Sequence, residues 1–148
     1  MELPVLEIEW DVIATTLIRT VVAFLLTLPI ALNRERQTQI MGLRTFPLVA
    51  VASCGYIILS HSFIPPDGHD AQARVLQGLL SGIGFIGGGA ILKSSNHIIG
   101  TATAASIWNT GAIGVAVAYH RYEIALVLSL TNYVILSFLT PFKRRQSD

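Results

Sequence analysis

The sequence predicts an all-α protein, a single polytopic bundle of about five membrane helices with the N-terminus outside and the C-terminus inside. Three observations predict it. Hydrophobic residues make up 52% of the chain and charged residues only 13%, against about 25% charged in soluble domains. Five apolar segments of bilayer-crossing length, about 17–25 residues each, nearly exhaust the 148 residues, so one domain over residues 1–148 is all that fits. The stretch from Val75 to Ala118 is built largely from Gly, Ala, Ser and Thr. Soluble helices avoid such glycine content, at roughly 1 kcal/mol each relative to Ala. Membrane helices use small residues to bring backbones close.

The spans are expected at Val12–Leu32, Phe46–Phe63, Val75–Leu92, Ile98–Ala118 and Ile124–Phe142. The N-terminal MELPVLEIEWD is acidic and lacks the basic region of a cleavable signal, so the first run is expected to be retained as a span. Pro29 is expected to kink that span near its inner end. Thr45 reads as an N-cap of the second, with Pro47 in the first turn where its missing N–H costs little. Pro65-Pro66-Asp67-Gly68 reads as an outer loop. Short linkers make sequential helices antiparallel. Mean hydropathy is +0.60, and the net charge of +1 points to no nucleic-acid partner.

Orientation follows from basic residues in the loops. With the N-terminus outside, the inner segments hold Arg34, Arg36, Arg44, Lys93, Lys143, Arg144 and Arg145, and the outer ones only Arg74 and Arg121. Seven against two sets the assignment. Trp10, Phe63, Tyr119 and Tyr122 fit an interfacial aromatic belt.

Several motifs carry candidate chemistry. Gly82-Ile83-Gly84-Phe85-Ile86-Gly87 matches G-x-G-x-x-G literally. The dinucleotide reading needs a preceding strand and an acidic residue about 20 positions on. Here the match lies within a span, and the next acidic residue is Glu123. The glycines therefore read as helix packing, in the pairs Gly78/Gly82 and Gly84/Gly88. Gly87-Gly88-Gly89 can also break the helix, which is tolerated where backbone is buried in protein or faces water.

Arg19 is the one formal charge inside a span, about 12 Å from its outer end at 1.5 Å per residue. It either snorkels to the headgroups or faces inward, with Asn109, Ser81 and Gln77 as candidate partners. Thr103, Ser106, Asn109 and Thr110 form a polar stripe on the fourth span. Such a stripe glues helices together or lines a path for ions or water. In the inner loop NRERQTQIMGLRT, Glu35 is expected to pair with Arg36 or Arg44 and so fix how the first two spans meet. Asp67, His69, Asp70 and nearby His61 read as solvated rather than as a metal site. No nucleophile sits with a base, so no enzyme and no cofactor is expected. Cys54, the single cysteine, can form no intramolecular disulfide.

These residues also carry a resemblance. MGLRTFPLVAVASCG is similar to the "GLRTH-x-LVAxGA" segment of the MgtC/SapB membrane proteins. SGIGFIGGGAIL followed by IIGTATAASIWNTGAIGVAVA resembles their "SGIGFLGAGxIL … GLTTAASLWxxAAIGxAxG" hallmark, and NRER resembles their "GLER". By position, Glu35, Arg36, Gly42, Arg44, Thr45, Gly82, Gly84, Gly88, Thr103 and Trp108 carry the motif. The chain departs from it at Phe46, where the family has histidine, at Ala102, and in LTLPIALN, where many members have two glycines.

The resemblance implies a multi-pass protein of the bacterial inner membrane. Some members are linked to adaptation to low magnesium, acid stress and survival inside host cells, and for those the resemblance implies a regulator of the membrane sector of the F-type ATP synthase, not a magnesium transporter. Better-studied members carry a soluble C-terminal domain, and this chain is expected to be the membrane domain alone. The leading expectation is an accessory or regulatory protein, homo-oligomeric, that binds a membrane complex by helix packing. The alternative is a small ion or solute transporter with a polar pathway near Arg19 and Asn109.

Overall fold

A computed structural model describes residues 8–38, 42–93 and 98–144. Glu2, Glu7, Arg145 and Asp148 lie outside the described residues, as do Gln39 to Met41 of the inner loop. Five helices follow in order: α1 (Trp10–Thr38), α2 (Thr45–Ser60), α3 (His69–Gly89), α4 (Thr101–Ala118) and α5 (Tyr122–Arg144). The all-α expectation holds, with one addition. A two-stranded antiparallel hairpin, β1 (Leu92–Lys93) and β2 (Ile98–Ile99), joins α3 to α4, pairing Leu92 with Ile99 and Lys93 with Ile98.

Two helical stretches, Trp10–Gln37 and Tyr122–Leu139, are long and apolar enough to cross a bilayer, and α2 is a shorter apolar helix. Large apolar side chains stand exposed along α1 and α5, among them Leu17, Leu25, Leu130 and Phe138. Such continuous apolar surface marks a face that meets lipid or another protein.

Helix bounds depart from the apolar runs for physical reasons. α1 continues past Leu32 because NRERQT is composed mostly of adequate helix formers. α3 starts at His69, six residues before its apolar run, through the polar DAQAR turns. It stays continuous through the glycines and ends at Gly89, so Leu92 and Ile98, expected in spans, sit in the hairpin. Thr45 is not the cap of α2: Arg44 holds the N-cap position with no side-chain capping bond, and Thr45 is the first helical residue.

α4 is the hub. It packs against all four other helices, most extensively against α2. Ten of its residues are buried, whereas α3 buries only Ile83 and Gly87. α2, α3 and α4 therefore do not make up the core by themselves. The core joins α1, α2, α4 and α5 through Ile30, Phe46, Ile57, Ile107, Val117 and Leu136, and α3 lies at the edge.

The reason is glycine placement. A Cβ at Gly114 would strike the Ala50 carbonyl oxygen, and one at Gly111 would strike the Ile83 side chain. Small residues thus bring α4 against α2 and α3 at these two points. In α3 only Gly87 makes a backbone approach, with its virtual Cβ 3.3 Å from the Ala104 carbonyl oxygen.

Gly100 precedes α4 with φ at +90°, and a Cβ there would overlap the Ala90 carbonyl oxygen. Glycine alone fits the junction between hairpin and helix. Gly100→Ala is expected to cost about 1–3 kcal/mol through strain at that φ and to lower the thermal midpoint of the purified protein. An unchanged midpoint would mean the junction relaxes freely.

Candidate functional site

The site begins at the C-terminal end of α4. There the chain turns back through His120, a non-glycine residue at φ +58°. Arg121 N–H donates to the Ala116 carbonyl at 2.8 Å and His120 N–H to the Val117 carbonyl at 3.0 Å. This paired pattern is a Schellman cap, which satisfies two of the carbonyls a helix end leaves open. Arg19 reaches a third, donating from Nη1 to the Ala118 carbonyl at 3.5 Å. A cation at the negative end of a helix is favourably placed. Arg19 is half-buried, and its partner is backbone. Of the expected partners, Asn109 donates to Leu128 O and Ser81 to Gln77 O instead.

At the same end, Arg121 and Glu123 form a 2.5 Å ion pair with both side chains exposed. His61 stacks edge-on against Tyr119 at 5.3 Å rather than joining Asp67, His69 and Asp70, which are exposed. Among the described residues no group of three or more His, Cys, Asp or Glu converges.

The polar stripe on α4 divides between two roles. Ser106 Oγ donates to Asn132 Oδ1 at 3.0 Å and Asn109 Nδ2 to the Leu128 carbonyl at 3.2 Å, so both clamp α4 to α5. Thr110 bonds back to Ser106 O within its own helix, and Thr103 is buried. From α5 the polar contacts continue to α1: Ser129 Oγ donates to the Leu26 carbonyl at 2.5 Å and Asn33 Nδ2 to Ser137 Oγ at 3.0 Å. Asn109, Thr131 and Asn132 line a cleft of about 410 Å³ between α4 and α5. Asn132 is 8% exposed, and its Nδ2 has no hydrogen-bond partner among the described residues.

At the α1–α2 junction Glu35 bonds the linker rather than the expected Arg36 or Arg44. Its carboxylate accepts the Leu43 backbone N–H at 3.0 Å and lies over Gly42, where a Cβ would collide with it. Glycine is required there by that close approach. Arg36 and Arg44 are exposed. Arg34, expected as a surface charge, is 4% exposed and lines a cleft with the first turn of α4.

The glycines singled out in α3 differ from expectation. A Cβ at Gly78, Gly82, Gly84 or Gly88 would meet nothing within 4 Å. They do not mediate packing inside this chain. Gly84 and Gly88 are exposed beside Phe85, which is 85% exposed. Trp108 on α4 is also exposed, at 52%. The G-x-G-x-x-G match lies mid-helix, with no strand before it.

Sequence reasoning passed over Gly111, Gly114, Asn33, Ser129, Asn132 and Ser137. Their signals were present. Gly111 and Gly114 are three apart on α4, and Ser129 and Asn132 are three apart on an otherwise apolar α5, the spacing that stacks residues on one helix face.

The chain is similar to a set of bacterial proteins. It is 32% identical to protein SrpB of Synechococcus elongatus, with 86% of this chain and 75% of that protein covered. It is 31% identical to the putative magnesium transporter YhiD of Escherichia coli K12, with 83% and 60% covered. It is 33% identical to protein MgtC of Brucella abortus, with 89% and 54% covered. The chain therefore spans between about half and three quarters of these relatives. No solved structure matches it. The MgtC family model matches residues 20–145, and with that coverage and relatives above 30% identity the chain belongs to the MgtC family, whose apolar helices mark it as a membrane protein.

Proposed function

We propose that the chain is a five-span accessory protein of the bacterial inner membrane that regulates another membrane complex by helix–helix binding. The observation that carries this reading is the uncovered face of α3. Gly84 and Gly88 have open space beyond them, and Phe85 stands out between them. In lipid, a smooth glycine face beside one aromatic ring is a surface for close helix packing. The same face serves a second copy of the chain, so homo-oligomers form part of the reading. The distribution of basic residues, seven inner against two outer, supports an N-terminus outside. By family resemblance the favoured target is the membrane sector of the F-type ATP synthase, in adaptation to low magnesium or acid stress.

The test is crosslinking and affinity purification from native membranes, with magnesium replete and depleted. A membrane complex captured reproducibly under depletion supports the reading and names the target. Recovery of the chain alone would replace it with an autonomous oligomer.

The rival reading, a transporter past Arg19 and Asn109, meets a geometric difficulty. Asn109 and Ala118, the residue that Arg19 contacts, are nine positions apart on α4, about 14 Å along the axis. Asn109 turns toward α5 instead. A cysteine at position 109, in a Cys54→Ala background, is expected to resist a soluble thiol reagent. Rapid labelling would reinstate the transport pathway.

A further inference from the structure

α3 packs on α4 and only lightly on α2. Between α2 and α3 this leaves a groove of about 450 Å³. Gly78, Gly82 and Ile86 line it from α3, and Tyr56 lines it from α2. Gly84 stands about 200° around α3 from Gly82 and so lies outside the groove, while Phe85, about 20° from Gly78, borders it. The groove lining is mostly apolar, with Ser53 and Tyr56 contributed by α2 and Arg74 joining at one end. Arg74 sits where the polar first turns of α3 give way to its apolar run. Tyr56, four residues from the outer end of α2, brings a phenol to the same end.

The geometry points to a phospholipid site in which one acyl chain fills the α2–α3 groove and the anionic phosphate is held by Arg74 with help from Tyr56. Length supports it. Arg74 to Ile86 is twelve residues, about 18 Å of helix, close to the roughly 15 Å depth of one leaflet. Charge supports it too. Among the described residues Arg74 makes no ion pair with Asp70 one turn outward, and it is exposed. An arginine whose stem lies on apolar surface and whose head reaches the interface is suited to a phosphate. The site rests on the membrane reading above, which puts this end at the outer leaflet.

Native mass spectrometry of the detergent-purified chain, titrated with phosphatidylglycerol, tests it. Diacylglycerol with the same acyl chains is the phosphate-free control. The wild-type chain is expected to retain one phosphatidylglycerol and to hold diacylglycerol roughly tenfold more weakly, the worth of a charge-assisted hydrogen bond. Arg74→Gln, a surface change, should lose that preference. Gly82→Leu, whose site has room for the side chain, should retain neither lipid. If Arg74→Gln keeps the preference, or Gly82→Leu keeps both lipids, the proposal is wrong. A lipid-free dimer dissolved by Gly82→Leu also overturns it and assigns the groove to a second copy. Alkaline washing of native membranes separates the two readings. A chain washed into the soluble fraction sinks the membrane reading itself, whereas an embedded chain without bound lipid sinks only the site.

Discussion

Gly114→Leu is expected to abolish the folded bundle. At Gly114 a Cβ alone would overlap the Ala50 carbonyl oxygen and stand 2.9 Å from Ser53 Cβ. The obstacle is the backbone of α2, which cannot rotate aside as a side chain can. A leucine there must push α2 off α4 along the most extensive helix contact in the molecule. Overpacking a close-packed interior typically costs about 1–3 kcal/mol, and more where backbone must shift. Domains are held by only about 5–15 kcal/mol in total. Size-exclusion profiles and thermal unfolding in detergent read the outcome. A Gly114→Leu protein that elutes and melts like the wild type would mean that α2 and α4 do not cross as closely as described.

The same substitution thirty residues earlier has the opposite expected result. At Gly84 a Cβ meets nothing within 4 Å. Gly84→Leu should leave the melting profile within about 0.5 kcal/mol of wild type, as surface changes usually do. What it should remove is the smooth face. A leucine beside Phe85 holds a neighbouring helix away from the backbone, and small-residue contacts depend on that approach. Capture of a partner complex from native membranes is expected to fall at least tenfold. A folded variant that still captures its partner would show that the uncovered face of α3 is not the docking surface. Taken together, the pair separates a glycine that shapes the bundle from one that meets something outside it.

The five helices themselves were legible in the sequence, because four breaks separate five apolar runs, of which two form helical stretches long and apolar enough to cross a bilayer. The family was legible too, through one long joined motif. What could not be read was which glycine face each helix uses. Gly78, Gly82, Gly84 and Gly88 look as suited to packing as Gly111 and Gly114, and only the arrangement of α2 and α4 distinguishes them. Arg19 shows a second limit. Sequence suggests side-chain partners, but its partner is the Ala118 carbonyl, and every residue has a carbonyl. That one is available because the Schellman cap at His120 satisfies its neighbours. Glu35 was assigned the wrong partner for the same reason: it bonds a backbone N–H rather than an arginine.

The contacts between α1 and α5 bear on how the protein is made. Ser129 to Leu26 and Asn33 to Ser137 join residues 103 and 104 positions apart. At roughly 5–20 residues per second, the ribosome needs about 5–20 seconds between completing the first helix and delivering the last. During that interval α2 arrives first and covers one side of α1, while the side destined for α5 stays bare in the bilayer or against the insertion machinery. Closure of α5 against α1 thus follows the delivery of α2, α3 and α4. A nascent chain stalled before residue 129 would present an unfinished α1 surface, with Asn33 exposed, to whatever quality control patrols the membrane.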